Sequence, residues 1–178
     1  GQLLATYLTG YVDQDQLCFL GGFPGDGLAE LFGVISEEID TLYPSDRNHI
    51  RFEDGREWEV RDYAEVLQVQ DAKVLASYTE DFYQGMAAVT CKETGKGKAY
   101  YVAARTAPGQ MAWLFEQMLK EAGISTRQLP AGVEYHVRSG EEGTYEFYLN
   151  HNTHPVKVEN VQGPDLESGA VVQGDLEL

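Results

Sequence analysis

The sequence is short of basic residues, with 13 lysines and arginines against 29 aspartates and glutamates and a formal net charge of −16. Nucleic acids and anionic membranes are bound through basic surfaces, so this charge argues against both as partners. No apolar run approaches the roughly 20 residues of a membrane-spanning helix. The composition, 43% hydrophobic and 24% charged, is typical of a globular protein with a solvated acidic exterior.

Cysteine is also scarce. The chain has two, Cys18 and Cys91, and they lack the paired spacing of a thiolate metal site. Both lie in strand-like stretches, where an unpaired cysteine usually belongs to the core. We therefore expect two buried, reduced thiols, and we predict a cytoplasmic location.

The first two thirds of the chain are typical of short strands joined by glycine-containing turns. Residues 28–32 are long enough for one helical turn, and residues 44–55 indicate a polar connection. Residues 63–69 fit a strand and a helix equally well. The predicted strands are residues 3–8, 34–42, 57–61, KVLASY at 73–78, MAAVTCK at 86–92 and KAYYVAA at 98–104.

A longer helix is predicted at residues 108–122, because Pro108 suits the first turn and Gly123 a C-terminal stop. Apolar residues recur along it at steps of three and four, which gives one apolar stripe. With the strand before it, this helix forms a β-α unit typical of an α/β layer. We expect Leu114 and Phe115 to pack beneath KAYYVAA.

The pattern changes near Pro130. Residues 133–138, 144–149 and 156–158 alternate as short strands, separated by turn-forming residues. They predict a small antiparallel sheet. We therefore divide the chain into domains at residues 1–128 and 129–178.

Four segments together resemble one enzyme family, the glycoside hydrolase family 42 β-galactosidases. They are LCFLGGFPG at 17–25, YTEDFYQGMAAVT at 78–90, GKGKAYYV at 95–102 and YEFYLNHN at 145–152. The first three resemble the middle, trimerisation domain of that family, and the fourth resembles the start of its small C-terminal β domain. The resemblance implies an α/β fold: a partial flavodoxin-like or amidotransferase-like domain with a β excursion, followed by a small antiparallel β domain.

The resemblance also implies a function without catalysis. In the family a catalytic (β/α)8 barrel precedes the trimerisation domain and hydrolyses terminal β-D-galactosides with retention, and nothing in this sequence resembles that barrel. The chain is therefore expected to be an inactive assembly fragment whose partner is itself, as a homotrimer, while galactoside binds the absent barrel. Because earlier strands of the domain are also missing, residues 3–8 should form a sheet edge that another chain or segment shields.

No catalytic residue is predicted. A retaining glycosidase needs two carboxyl groups about 5 to 5.5 Å apart. Adjacent residues on a strand point to opposite faces, so neighbouring carboxylates cannot pair in this way. The neighbouring pairs are Glu37 with Glu38, Glu80 with Asp81 and Glu141 with Glu142. The family's Asn-Glu dipeptide at its acid/base residue does not occur.

No cofactor or metal site is predicted either. Residues 21–27 are glycine-rich, but they lack the lysine and Ser/Thr of a P-loop, so a structural turn is favoured. His151 and His154 are three residues apart in a predicted hairpin loop and have no cysteine nearby, which argues against a zinc site. Neither cysteine precedes a helix, as an amidotransferase nucleophile would.

Two other function classes stay open. Exposed aromatic residues could form the sugar platform of a carbohydrate-binding module, although aromatics at strand spacing are usually half-buried in a sheet. A free-standing enzyme would need a convergent polar pocket, which these residues do not suggest. The aromatics in question are Trp58, Tyr83, Tyr100, Tyr101, Tyr145 and Tyr148.

Overall fold

A computed structural model describes all residues, Gly1–Leu178. The chain forms two compact units, Gly1–Ser125 and Thr126–Leu178. The elements of the first unit are β1 (Gln2–Thr6), α1 (Leu28–Phe32), β2 (Val34–Thr41), β3 (Asn48–Phe52), β4 (Glu57–Val69), β5 (Lys73–Tyr78), β6 (Ala87–Thr94), β7 (Gly97–Val102), β8 (Ala104–Thr106) and α2 (Pro108–Glu121). Those of the second unit are β9 (Val133–Gly140), β10 (Gly143–Asn150), β11 (Lys157–Pro164) and β12 (Val171–Glu177).

The first unit is built on one mixed sheet with the strand order β1-β7-β6-β5-β3-β4-β2, and β8 pairs with β4. The pair β1–β7 is parallel, whereas all other neighbours are antiparallel. The sheet is therefore mixed and largely antiparallel. The unit has less helix than the predicted α/β layer. β1 lies at one edge, in agreement with the edge predicted for residues 3–8.

Strand β3 lies inside the segment that the sequence indicated as a polar connection. Asn48, Ile50 and Phe52 are buried, whereas His49 and Arg51 between them face outward. The strand alternates as a half-buried strand should. A buried asparagine in place of an apolar residue obscured that alternation in the sequence.

The ambiguous residues 63–69 continue β4, which runs without a break from Glu57 to Val69. Its first residues pair with β3 and its last with β2. Glu37 is the extra residue of a bulge in β2, since Ser36 pairs with Leu67 and Glu38 with Val66. The bulge explains why the alternation of β2 is interrupted at Glu37 and Glu38.

Helix α2 has the predicted extent, but the prediction for Phe115 is wrong. Leu114 is 3% exposed and Phe115 is 49% exposed. Residues four apart share a helix face, and Met118 is the other buried residue of α2. Phe115 points away from that face, and Trp113 instead packs edge-on against Phe52 and Trp58.

The core has two parts, one on each face of β7. Tyr100 and Val102 belong to the part that receives Leu114 and Met118 of α2. Ala99, Tyr101 and Ala103 alternate with them and belong to the part beside α1. β7 is therefore buried on both faces and contributes residues to both parts of the core.

The second unit contains two separate antiparallel pairs, β9 with β10 and β11 with β12. The sequence did not predict β12. Arg127 joins the two pairs, because its guanidinium donates to the Tyr148 hydroxyl at 2.6 Å and to the carbonyl oxygens of Glu159 and Asn160 at 3.1 Å. Neither unit contains a helix of the length and hydropathy needed to cross a membrane.

Candidate functional site

The carboxylate pairs identified in the sequence all lie in open positions. Glu37, Glu38, Glu80, Asp81, Glu141 and Glu142 are exposed. Glu80 accepts or shares a hydrogen bond with His49, Nδ1 to Oε1 2.8 Å. No enclosed pair of carboxyl groups is formed by these residues.

The structure brings His151 to Glu134 and not to His154. The Nε2 atoms of His151 and His136 lie 2.8 and 2.7 Å from the two carboxylate oxygens of Glu134. All three side chains are about half exposed. No group of three His, Cys, Asp or Glu side chains is arranged to hold a metal ion.

The two cysteines differ in their exposure to solvent. Cys91 is partly buried, and Cys18 is exposed, so the prediction of a buried thiol is wrong for Cys18. Cys18 pairs with Val12 in an isolated antiparallel bridge of a loop and not in the core sheet. Burial raises the pKa of the Cys91 thiol, which disfavours the thiolate that a nucleophile requires.

The aromatic residues considered for a sugar platform are mostly inside the protein. Trp58, Tyr83, Tyr100 and Tyr101 are buried. Ring faces that are enclosed in the core cannot stack on a saccharide. Of the six aromatics, Tyr145 is exposed, and a single ring on one strand is a weak platform, so the carbohydrate-binding alternative is not favoured.

A concave region lies between α2 and the sheet and has a volume of about 770 Å³. Three of its polar groups are paired with one another, since Glu121 accepts from Lys98 at 2.7 Å and from the Tyr100 hydroxyl at 2.9 Å. The Lys98 hydrogen bond lowers the pKa of Glu121 most, and that of Tyr100 adds to it. Glu121 is therefore held in an ion pair and is not a free acid or base.

Glu65 is the one buried charged residue, with 0% exposure, and the sequence reasoning missed it. It lies on β4, where Tyr63, Glu65 and Leu67 share one face by the alternation of a strand. An acidic residue on an otherwise apolar strand face was the signal that could have identified it.

Three hydrogen-bond donors reach the Glu65 residue from separate segments. Leu8 N–H donates to Oε1 at 2.8 Å, and the Tyr101 hydroxyl donates to Oε2 at 2.7 Å. The Tyr78 hydroxyl donates to the backbone carbonyl of Glu65 at 3.0 Å. The carboxylate thus joins β4, β7 and the turn after β1.

The electrostatics of Glu65 follow from this enclosure. Burial raises the pKa of its carboxyl group, and hydrogen bonds from Leu8, Tyr101 and Tyr11 oppose that shift without cancelling it. Burial, together with the facing carboxylate, also raises the pKa of Tyr101. Because both oxygens are occupied and solvent is excluded, Glu65 holds structure together and is not placed to act on a substrate.

The segment that Glu65 holds is the loop of residues 8–27, here called the anchored loop. Asp13 orders its tip, because one carboxylate oxygen accepts from the backbone N–H groups of Asp15 at 2.8 Å and Leu17 at 3.0 Å. The Tyr11 ring stacks on Phe23 with centroids 3.8 Å apart. These contacts give a long connection a defined conformation.

The glycine-rich part of the anchored loop is a structural turn, as predicted. A Cβ atom at Gly25 would lie 2.3 Å from the Phe19 ring, and Gly25 N–H donates to Gly10 O at 2.8 Å. Gly10 has a positive φ of 67°, which favours glycine. The glycines therefore allow close packing of the loop on itself, and the helix that follows, α1, has only five residues.

We expect the pH dependence of stability to reveal Glu65. Its raised folded-state pKa means that the folded protein binds this proton more tightly than the unfolded chain. The resulting stabilisation is complete below the ordinary glutamate pKa and is lost as pH rises through the raised value, with a slope of at most about 1.4 kcal/mol per pH unit. Urea denaturation of the protein and of Glu65→Gln at several pH values measures this decline, because the free energy of unfolding of the protein should fall relative to that of Glu65→Gln as pH rises. Parallel pH profiles would contradict the assignment.

Two family models match the chain. The β-galactosidase trimerisation domain matches residues 1–125, and the β-galactosidase C-terminal domain matches residues 132–175. The anchored loop and the Glu65 cluster therefore both lie within the first match.

Individual relatives agree with these matches. β-Galactosidase BglY of Alicyclobacillus acidocaldarius is 43% identical over 159 residues, which are 84% of this chain and 23% of the relative. β-Galactosidase Pbg of Clostridium perfringens is 33% identical over 189 residues, 100% of this chain and 27% of the relative. The chain spans about a quarter of the length of these curated relatives.

Solved structures show the same architecture. The crystal structure of the β-galactosidase from Bacillus circulans sp. alkalophilus aligns with a TM-score of 0.90 at 28% identity, covering 100% of this chain and 27% of that one. Gan42B, a GH42 β-galactosidase, aligns with a TM-score of 0.87 at 33% identity, covering 100% of this chain and 26% of that one.

Proposed function

Because the chain belongs to the glycoside hydrolase family 42 β-galactosidases, we propose that it is the assembly part of a longer enzyme and joins copies of that enzyme into a trimer. The observation that carries the proposal is the match of the trimerisation domain to residues 1–125, which span the first compact unit, Gly1–Ser125. The longer enzyme hydrolyses terminal β-D-galactosides with retention through a barrel outside this chain.

The side-chain arrangement supports an assembly role rather than catalysis. The buried carboxylate, Glu65, is enclosed and fully hydrogen-bonded. The groove beside α2 contains the pair formed by Lys98 and Glu121. Glu65 is closed off from a substrate and Glu121 is engaged in an ion pair, so neither is the free carboxyl group that a retaining glycosidase uses.

The proposal includes finer points of architecture. The parallel pair β1–β7 followed by α2 supports a partial flavodoxin-like sheet that carries an antiparallel excursion. We assign residues 1–128 to the trimerisation domain and residues 129–178 to the C-terminal β domain. A cytoplasmic location is supported by the two free cysteines, since disulfides are rare in that compartment.

Size-exclusion chromatography with light scattering tests the assembly role. We expect the purified chain to reach three times the mass of one chain as its concentration rises, because self-association is the role of the matched domain. A mass that stays that of one chain at every concentration would contradict the proposal.

A chromogenic β-galactoside tests the absence of catalysis. We expect no turnover by the purified chain above buffer, because the proposal places the catalytic carboxylate pair in the barrel outside this chain. The variants Glu80→Gln and Asp81→Asn serve as controls. Hydrolysis that copurifies with the chain and disappears in these variants would show that the chain is itself an enzyme.

Calorimetry with galactose should likewise show no binding, and a saturable signal would favour the carbohydrate-binding alternative.

A further inference from the structure

The first 25 residues have an unusual charge distribution for this protein. They contain two charged side chains, Asp13 and Asp15. Over the whole chain 24% of the residues are charged. Residues 17–25 contain no charge at all. Another molecule with the same acidic surface therefore meets little electrostatic repulsion at this segment.

The same segment exposes large apolar side chains. Leu17 is 64% exposed and Leu20 is fully exposed. In the rest of the first unit the exposed large apolar residues are Tyr43, Phe82, Phe115 and Ile124. Those in the first 25 residues are Leu3, Leu8, Val12, Leu17 and Leu20.

Four of these apolar residues, Leu8, Val12, Leu17 and Leu20, lie on the anchored loop, which has a defined conformation. The Glu65 carboxylate accepts a hydrogen bond from the backbone N–H of Leu8, the first residue of the loop. Ser36 contacts the loop at two places. Its hydroxyl shares a hydrogen bond with the Tyr11 hydroxyl at 3.2 Å, and its backbone N–H donates to Phe23 O at 2.8 Å. Val12 and Cys18 lie opposite each other in the antiparallel bridge near the tip. A contact surface that is already ordered loses little conformational entropy on binding, which favours association.

We propose that the tip of the anchored loop, residues 12–20, is the contact through which one copy of this protein binds the next. The inference rests on the proposed self-association, and it adds the surface that carries it. The occupant is a second copy, because the trimerisation match includes the whole loop and because a second copy is as acidic as the first, so that it meets little repulsion at a segment with few charges. A charge of −16 makes nucleic acid and anionic membranes poor occupants.

The symmetry of a trimer specifies the kind of contact. A closed ring of three copies requires a heterologous interface, in which one surface of each copy meets a different surface of its neighbour. The tip of each anchored loop therefore packs against a second, separate surface of the adjacent copy. Leu17 and Leu20 supply the apolar centre of that contact, and residues 17–25 contain no charge that would have to be desolvated.

The double variant Leu17→Ser and Leu20→Ser tests this contact. Light scattering across a range of concentrations should show an apparent dissociation constant raised by about tenfold or more, because a few buried apolar residues supply most of the energy of an interface. The control, Tyr43→Ser with Ile124→Ser, removes two other exposed apolar side chains and should leave association unchanged. Equal weakening in both variants would overturn the proposal.

Cys18 provides a second readout because it is exposed at the tip. The rate at which the Cys18 thiol is alkylated, measured by mass spectrometry, should fall as the protein associates. The loop contact would be overturned if Cys18 in the oligomer reacts as fast as in the dilute protein and the double leucine variant associates as strongly as the unchanged protein. That result would leave the proposed assembly role intact. A chain that is monomeric at every concentration would overturn both.

Discussion

Replacing Glu65 by leucine should lower the free energy of unfolding by about 2 to 4 kcal/mol. Two donors, Leu8 N–H and the Tyr101 hydroxyl, would lose their acceptor inside the protein, and each such loss costs about 1 to 3 kcal/mol. Part of this cost is offset, because leucine removes the penalty of burying a carboxyl group. Urea denaturation at neutral pH measures the difference.

The matched control for Glu65 lies on the same strand. Glu57 is exposed and pairs with Arg51, and exposed ion pairs contribute about 0 to 1 kcal/mol. Glu57→Leu should therefore change stability by less than about 1 kcal/mol. Comparable losses in the two variants would show that the cost arises from leucine on β4 and not from the buried hydrogen bonds.

A double-mutant cycle separates the contribution of one hydrogen bond. The Tyr101 hydroxyl donates to Glu65 Oε2 at 2.7 Å, so Tyr101→Phe should cost less in the Glu65→Leu protein than in the unchanged protein. Residues in direct contact typically show coupling energies of about 0.5 to 3 kcal/mol. Additive losses would mean that the two side chains do not depend on each other.

Replacing Leu114 by alanine should lower the free energy of unfolding by about 2 to 5 kcal/mol, the usual cost of deleting a buried leucine side chain. Leu114 is 3% exposed and belongs to the core part on the α2 face of the sheet. The loss arises from the apolar area returned to water and from the cavity that stays behind. Thermal and urea denaturation both report it.

The neighbouring residue provides the control. Phe115 is 49% exposed, and substitutions at exposed positions usually change stability by no more than about 0.5 kcal/mol. Phe115→Ala should therefore have a small effect although it removes more atoms than Leu114→Ala. The reverse order of effects would mean that α2 presents its other face to the sheet.

The sequence by itself determined the elements with strong local signals. α2 lies between Pro108 and Gly123, which mark its ends for local steric reasons. The apolar strands β5, β6 and β7 were predictable because several consecutive residues in each prefer a buried, extended conformation. The family was also recognisable, because four separated segments keep its residues.

Only the tertiary structure decided features that depend on distant partners. Asn48 can be buried on β3 because its side-chain amide donates to Glu80 O at 3.1 Å, a contact across 32 residues. Leu114 rather than Phe115 became the core residue because the orientation of α2 on the sheet selects one part of its apolar stripe.

The candidate site divides in the same way. The glycines of residues 21–27 predicted a turn, since their freedom of φ is a local property. The role of Glu65 depends on Leu8 and Tyr101, which are 57 and 36 residues away along the chain. A carboxylate can be buried only where folding brings hydrogen-bond donors to it. The sequence therefore determined where the chain turns, and the assembled sheet decided which charge it encloses.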